Sequence, residues 1–160
     1  MAIDLAAFLV LLSLETGMEM ECLIRLNADC LRNPTKGYVE IEYYKRRARG
    51  SEWKRLRVRD GSSATPGGLV RTAIALTERA RQHTGSDRLW VLWTIDGLRP
   101  ANDEGGQGIA AFIERYQLVD DDGAPLRLRL SQLRKTHKAE WYRRTNGQLE
   151  QFAVGHSIGV

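Results

Sequence analysis

The sequence predicts an α+β fold, mainly helical: a helix bundle with a small antiparallel β-hairpin or three-stranded sheet, in one domain over residues 1–160. Three observations predict it. Apolar residues recur at helical spacing in six separate segments. Two neighbouring stretches, 38–44 and 53–59, are rich in β-formers and alternate in character. With 160 residues and an apolar fraction of 42%, the chain is long enough and apolar enough for one sizeable core.

Residues 4–15 read as the first helix, since Leu5, Phe8, Leu9 and Leu12 fall at helical spacing, and Gly17 stands where a helix-ending glycine would. A second helix is expected from about Glu19 to Leu26. The stretch Tyr38 to Tyr44 carries acids at Glu40 and Glu42. In Trp53 to Arg59, Leu56 and Val58 take one face and Arg55, Arg57 and Arg59 the other. Between these stretches, 45–52 reads as a strongly cationic turn containing Gly50. Thr65-Pro66-Gly67-Gly68 opens a helix that runs to about Gln82, with Leu69, Ala73, Leu76 and Ala80 on one face. Residues 89–94 fit either a strand or the start of a buried helix. Further helices are expected over 106–118, after Gly105, Gly106 and Gly108, and over 131–145. Between these two, 120–124 reads as a loop and Pro125 starts a short extended stretch. Asn146-Gly147 then breaks the chain before a last helix at 148–154.

Composition narrows the function classes. The apolar stretch 6–14 is too short to span a membrane and is preceded by Asp4 rather than by Lys or Arg, so neither a membrane span nor a signal peptide is expected. A soluble cytoplasmic protein follows, with Cys22 and Cys30 as reduced thiols. His83, His137 and His156 lack Cys or His partners at ligand spacing, so no metal is expected. P-loop and nucleophile-elbow motifs are absent, and no cofactor is expected. The net charge of +4 is unevenly spread. Lys45, Arg46, Arg47, Arg49, Lys54, Arg55, Arg57 and Arg59 face a single acid, Glu52, within 45–59, and a second basic cluster runs from Arg127 to Arg144. Two such islands suit a polyanion.

Four short blocks add a more specific reading. They are Thr16-Gly17-Met18-Glu19 with Cys22-Leu23-Ile24-Arg25-Leu26 and Asp29; Lys45 in the hairpin; Ser131-Gln132-Leu133-Arg134-Lys135-Thr136; and Val154-Gly155-His156-Ser157. In order and spacing they resemble the catalytic domain of the tyrosine recombinase, or phage integrase, family. That family's blocks read Thr-Gly-apolar-Arg, a hairpin Lys, His-x-Leu-Arg-His/Lys-Thr and Leu-Gly-His-Ser. The 22 residues from Arg134 to His156 are close to the usual gap. The resemblance implies metal-independent phosphoryl transfer on duplex DNA, in which arginines hold the phosphate oxygens, a Lys protonates the leaving oxygen, a His assists and a Tyr attacks phosphorus. It assigns the phosphate site to Lys45, Arg134 and His156. Arg46, Arg47, Arg49, Lys54, Arg55, Lys135, Lys138, Arg143 and Arg144 would contact DNA, and other recombinase protomers are implied as partners.

The departures from the family pattern bear on chemistry. Glu19 stands where the family has its first Arg, Cys22 where it has a Glu, and Ser131 where it has a His. The nucleophilic Tyr is expected near position 165, beyond Val160, and the expectation for 1–160 is a catalytic-type domain without the family's amino-terminal DNA-clamping domain. Tyr116 and Tyr142 read as packed aromatics rather than nucleophiles. A Glu cannot offer the planar fork that matches phosphate. Glu19 therefore either repels a phosphate at that place or serves as a salt-bridge partner for the basic islands, and Arg25 is a candidate substitute for the missing Arg. The expectation is a DNA-binding recombinase domain that does not cleave by itself. The alternative is a basic helical module binding nucleic acid or protein without recombinase activity.

Overall fold

The computed structural model describes residues 5–47, 50–94, 97–100 and 105–146. In chain order the elements are α1 (Leu5–Thr16), α2 (Met20–Ile24), β1 (Leu31–Thr35), β2 (Tyr38–Arg47), β3 (Gly50–Arg59), α3 (Pro66–Thr84), β4 (Val91–Thr94), β5 (Gly97–Pro100), α4 (Gly105–Arg115) and α5 (Leu130–Arg144). The fold is α+β, and the described residues form five helices, a three-stranded antiparallel sheet in the order β1-β2-β3 and a separate β4-β5 hairpin. No helix among the described residues is long and apolar enough to cross a membrane.

Helix α1 is apolar on nearly every side, and such a helix belongs in the middle of a bundle. It touches all four other helices. Leu5, Leu9 and Leu12 meet Leu23 and Leu26 around α2, Val39 and Ile41 of β2, Leu56 and Val58 of β3, and Val70 and Ala73 of α3 in one core. Trp90, fully buried, donates its indole N–H to the Leu23 carbonyl at 2.6 Å and so ties the approach to β4 onto α2.

The sequence pattern holds for most elements, and the exceptions have physical causes. Leu56 and Val58 are buried while Arg55, Arg57 and Arg59 are exposed, as alternation requires. The expected turn at 45–52 is mostly strand: β2 and β3 pair continuously from Tyr38↔Arg59 to Arg47↔Gly50, so Lys45 sits within the ladder opposite Glu52. Strand β1 makes the sheet three-stranded, the larger of the two sheets expected, at residues 31–35 to which the sequence reading assigns no element. It survives as an edge strand with a register shift between Arg32 and Thr35 and Asn33 at φ 46°. Helix α2 is one turn shorter than expected. Its chain turns at Arg25 so that Asn27 bridges Arg88 and Leu26 accepts from the Leu89 N–H at 2.9 Å. Residues 91–94 are strand rather than helix, paired with β5. Gly105, Gly106 and Gly108 lie inside α4 instead of ahead of it, and Gln117 at φ 49° follows its end. The stretch after Pro125 forms no strand, only a bridge from Pro125 to Val119, and α5 starts at Leu130. The helix expected at 148–154 lies outside the described residues.

Candidate functional site

The turn between α1 and α2 positions the site. Gly17 takes φ 66°, a left-handed conformation that glycine adopts without steric cost, and its N–H bonds the Ser13 carbonyl at 2.9 Å. The Thr16 hydroxyl donates to the Leu12 carbonyl at 2.5 Å and accepts from the Met18 N–H at 3.2 Å. The Ser13 hydroxyl donates to the Met18 carbonyl at 3.1 Å. These bonds fix the backbone that leads into Glu19. Glu19 occupies the N-cap position of α2 in extended conformation, yet its carboxylate makes no capping bond and is free to reach elsewhere.

It reaches two cations from distant parts of the chain. Lys45 Nζ lies 3.3 Å from Glu19 Oε1, and Arg134 Nη1 bonds the same oxygen. Lys45 comes from the inner face of the sheet, two residues beyond buried Tyr43. Arg134 comes from α5, whose docking explains its placement. His137 is buried against the end of α1, where its Nδ1–H donates to the Leu14 carbonyl at 2.5 Å, and its ring presses on Gly17. A Cβ at Gly17 would lie 2.9 Å from His137 Nε2 and closer still to Cδ2. Arg134 stands three residues before His137 on the same helix face, which lays it beside Glu19.

The three charged groups are largely withdrawn from water, with side-chain exposures of 14% for Lys45, 24% for Arg134 and 36% for Glu19. Burial pushes the Glu19 carboxyl up, but the charges and hydrogen bonds of Lys45 and Arg134 outweigh it and hold the group below the usual carboxylate range. Cys22 lines the same spot, and burial, reinforced by the Glu19 charge, pushes its thiol up, so it stays protonated. The space enclosed by Gly17, Met18, Glu19, Cys22, Tyr43, Lys45 and Arg134 is about 10 Å³, at most the room for one water. The Glu19 carboxylate fills the hollow that its two cations form.

The remaining expected residues lie elsewhere. Arg25 is no substitute within this cluster: it is at the far end of α2, 3.2 Å from Glu21. Arg46 points to the opposite face of β2 from Lys45, as alternation dictates. Arg47 is in the ladder opposite Gly50. Lys54 pairs with Glu52 at 3.3 Å, and Arg55 with Glu42 at 2.9 Å. Lys135 and Lys138 are exposed on α5, while Arg143 and Arg144 both meet Glu140. Ser131 is exposed in the first turn of α5. Tyr116 and Tyr142, expected to be packed, are 55% and 56% exposed: Tyr116 lies in the turn after α4 with one side of its ring on Phe112, centroids 4.8 Å apart, and Tyr142 lies on an outward face of α5. Arg49 and His156 lie outside the described residues.

Two residues that matter here were not singled out from sequence. His137 gives no sequence signal beyond its place three residues after Arg134. Arg88 is a lone arginine before an apolar run, brought to Arg25 only by the pairing of 25–28 with 86–89. Among the described residues no group of three His, Cys, Asp or Glu side chains is arranged to hold a metal ion. A larger apolar hollow of about 610 Å³, lined by Ile109, Ile113, Leu118, Val119, Pro125 and Leu128, includes none of the residues around Glu19. Comparison with protein-family models, curated proteins and solved structures finds no match to this chain.

Proposed function

We propose that the chain is a DNA-binding domain of the tyrosine recombinase type, acting on duplex DNA, in which the phosphate cradle is closed by its own carboxylate. One observation carries this reading. Lys45 and Arg134, the two cations that the resemblance assigns to one phosphate, come from a strand and a helix 89 residues apart (134 − 45) and meet on one oxygen of Glu19. Glu19 itself stands where the resemblance expects an Arg. Two converging cations with a bound carboxylate oxygen are an anion site, and a phosphate oxygen is the natural competitor for it.

The same carboxylate argues against strand cleavage in this state. A phosphate entering the cradle must displace Glu19 or accept a negative neighbour, and charge building on phosphorus would lack the donor that an Arg supplies. Losing one such donor costs about 3–4 kcal/mol of transition-state stabilisation. The domain therefore binds DNA through exposed Lys135 and Lys138 of α5, with the cradle as a weak, competed contact. That carboxylate is also what favours a second reading, a basic nucleic-acid- or protein-binding module with no recombinase activity.

A duplex titration at two salt concentrations tests the proposal. Wild-type protein should bind duplex with affinity that falls steeply with salt, and Arg134→Ala should weaken it by about tenfold, since the substitution removes a cation and leaves Glu19 facing the phosphates. A suicide substrate should trap no covalent adduct. Duplex affinity that ignores both salt and Arg134 would leave the module reading standing instead.

A further inference from the structure

The opposite face of β2 carries a second cationic hollow that the proposed function does not use. A groove of about 480 Å³ lies between the far end of α2, the outer face of the sheet and the segment before β4, lined by Ile24, Arg25, Asn27, Tyr44, Arg46, Trp53 and Arg88. Its arginines come from three parts of the chain and are brought together by backbone pairing. Asn27 bridges Arg88, the Ala28 N–H bonds the Asp87 carbonyl at 2.8 Å, and Arg88 Nη1 donates to the Arg25 carbonyl at 2.7 Å. Against the three guanidinium charges stands one carboxylate partner among the described residues, the exposed Glu21 beside Arg25.

The groove also has an aromatic wall. Trp53 is 60% exposed, the most exposed large hydrophobic side chain among the described residues, and it sits opposite Tyr44 in the ladder. The two rings meet edge to face, with centroids 5.3 Å apart and planes at 62°. Tyr44 is half-buried and holds the indole in a fixed orientation, leaving it open to solvent. An exposed indole beside three guanidinium groups suits a ligand that is both planar and anionic.

We propose that this groove binds a nucleoside phosphate unit, with an unpaired base stacked on Trp53 and the attached phosphate held by Arg25, Arg46 and Arg88. The arginine forks match phosphate oxygens, and stacking on an indole tolerates any base. A base inside a duplex has its faces covered by its neighbours, so the ligand is a free nucleotide or a single strand. The groove lies at the other end of α2 and on the other face of β2 from the Glu19 cradle, so it stands independently of the duplex reading.

The test is a titration of the full chain with a labelled oligothymidylate, competed by a mononucleotide and by inorganic phosphate. Trp53→Ala should weaken strand binding by about tenfold or more, the scale of one base–aromatic stack, while Trp53→Phe keeps it within about threefold. Arg46→Ala should weaken binding and lower the salt slope by about 0.7, as loss of one single-strand phosphate contact does. Arg134→Ala should leave strand affinity within about twofold, since it lies outside the groove. A mononucleotide that competes at the strand's own concentration assigns the groove to free nucleotides; one that needs far more assigns it to single strands. Strand affinity unchanged in Trp53→Ala, strand affinity that tracks Arg134 instead, or inorganic phosphate competing as well as the mononucleotide would each overturn the proposal.

Discussion

The two faces of β2 carry neighbouring cations, Lys45 and Arg46, and treat them in opposite ways. Lys45 points inward, is 14% exposed and is held by Glu19 in a hollow of about 10 Å³. Arg46 points outward and lines an open groove of about 480 Å³ beside an exposed indole. The basic island at 45–59 is thus two surfaces rather than one. Cation count says little about where an anion binds; burial and the nearest carboxylate decide it. On the inner face, attraction between fixed charges is already satisfied within the protein. On the outer face Arg32 and Arg55 pair with Glu42, and the cations beside Trp53 are left for a ligand.

The strongest way to break the closed cradle is at Gly17. Gly17→Ala would place a side chain in the left-handed region and a methyl group within the His137 ring, and neither the turn nor α5 can yield without losing contacts on α1. The expected cost is about 2–4 kcal/mol, from backbone strain together with overpacking. Chemical denaturation reads it directly. Since α5 carries Arg134, the variant should also lose its duplex affinity while the outer groove, remote from α5, keeps its ligand. A Gly17→Ala protein as stable as wild type would mean that His137 does not dock where the turn presents it.

The next effect sharpens the comparison by opening the cradle without disturbing packing. Glu19→Gln preserves shape and removes the charge that Lys45 and Arg134 share. Two cations then become available to phosphate, so duplex affinity at low salt should rise by about tenfold and the salt slope should steepen by about one to two. The single-strand affinity of the outer groove should not change. If Glu19→Gln leaves duplex affinity and slope as they were, the inner cations are structural and the duplex site lies elsewhere.

How much of this was legible differs between the faces. Glu19, Lys45 and Arg134 could each be named from short blocks, and their meeting follows the order of those blocks. What the pattern hid was the reason they meet. His137 bonding to the Leu14 carbonyl at the end of α1 is a contact over 123 residues with no periodic signature (137 − 14). Lys45 was expected in a turn because Lys-Arg-Arg looks like a cationic loop, but cross-strand pairing continued past it and turned loop neighbours into residues on opposite faces. Strand β1 has no alternating pattern to mark it, and its Pro34 is tolerated because the strand lies at the sheet edge. The outer groove was not legible at all, since Arg25, Arg46 and Arg88 belong to three segments joined only by tertiary pairing. The family-level fold expectation therefore rested on blocks, while the observed α+β layout rests on the apolar α1 that gathers the other helices around it.

The smallest expected effect separates the faces by pH. Burial lowers the His137 pKa below the ordinary imidazole value of 6.5, and its bond to the Leu14 carbonyl and the nearby Glu15 offset this only in part, with Arg144 adding to the lowering. Below that value the unfolded chain takes up a proton that folded His137 resists, so the unfolded state binds more protons and stability falls as pH falls. Stability from this group is complete above pH 6.5 and is lost progressively as pH drops through the folded value, at a rate of at most about 1.4 kcal/mol per pH unit. Glu19 acts with the same sign in a lower window. Its folded pKa lies below 4.5, so the stability that its ion pairs contribute is complete above pH 4.5 and is lost as pH falls through the folded value. Thermal midpoints should be flat from pH 8 to 7 and decline from 6.5 downward, with His137→Gln removing the first decline and Glu19→Gln the second. The outer groove is lined by neither His137 nor Glu19, so single-strand affinity between pH 8 and 6 should hold steady while the protein is folded. A midpoint curve that His137→Gln leaves unaltered would show that imidazole burial does not set the acid limit of the inner face.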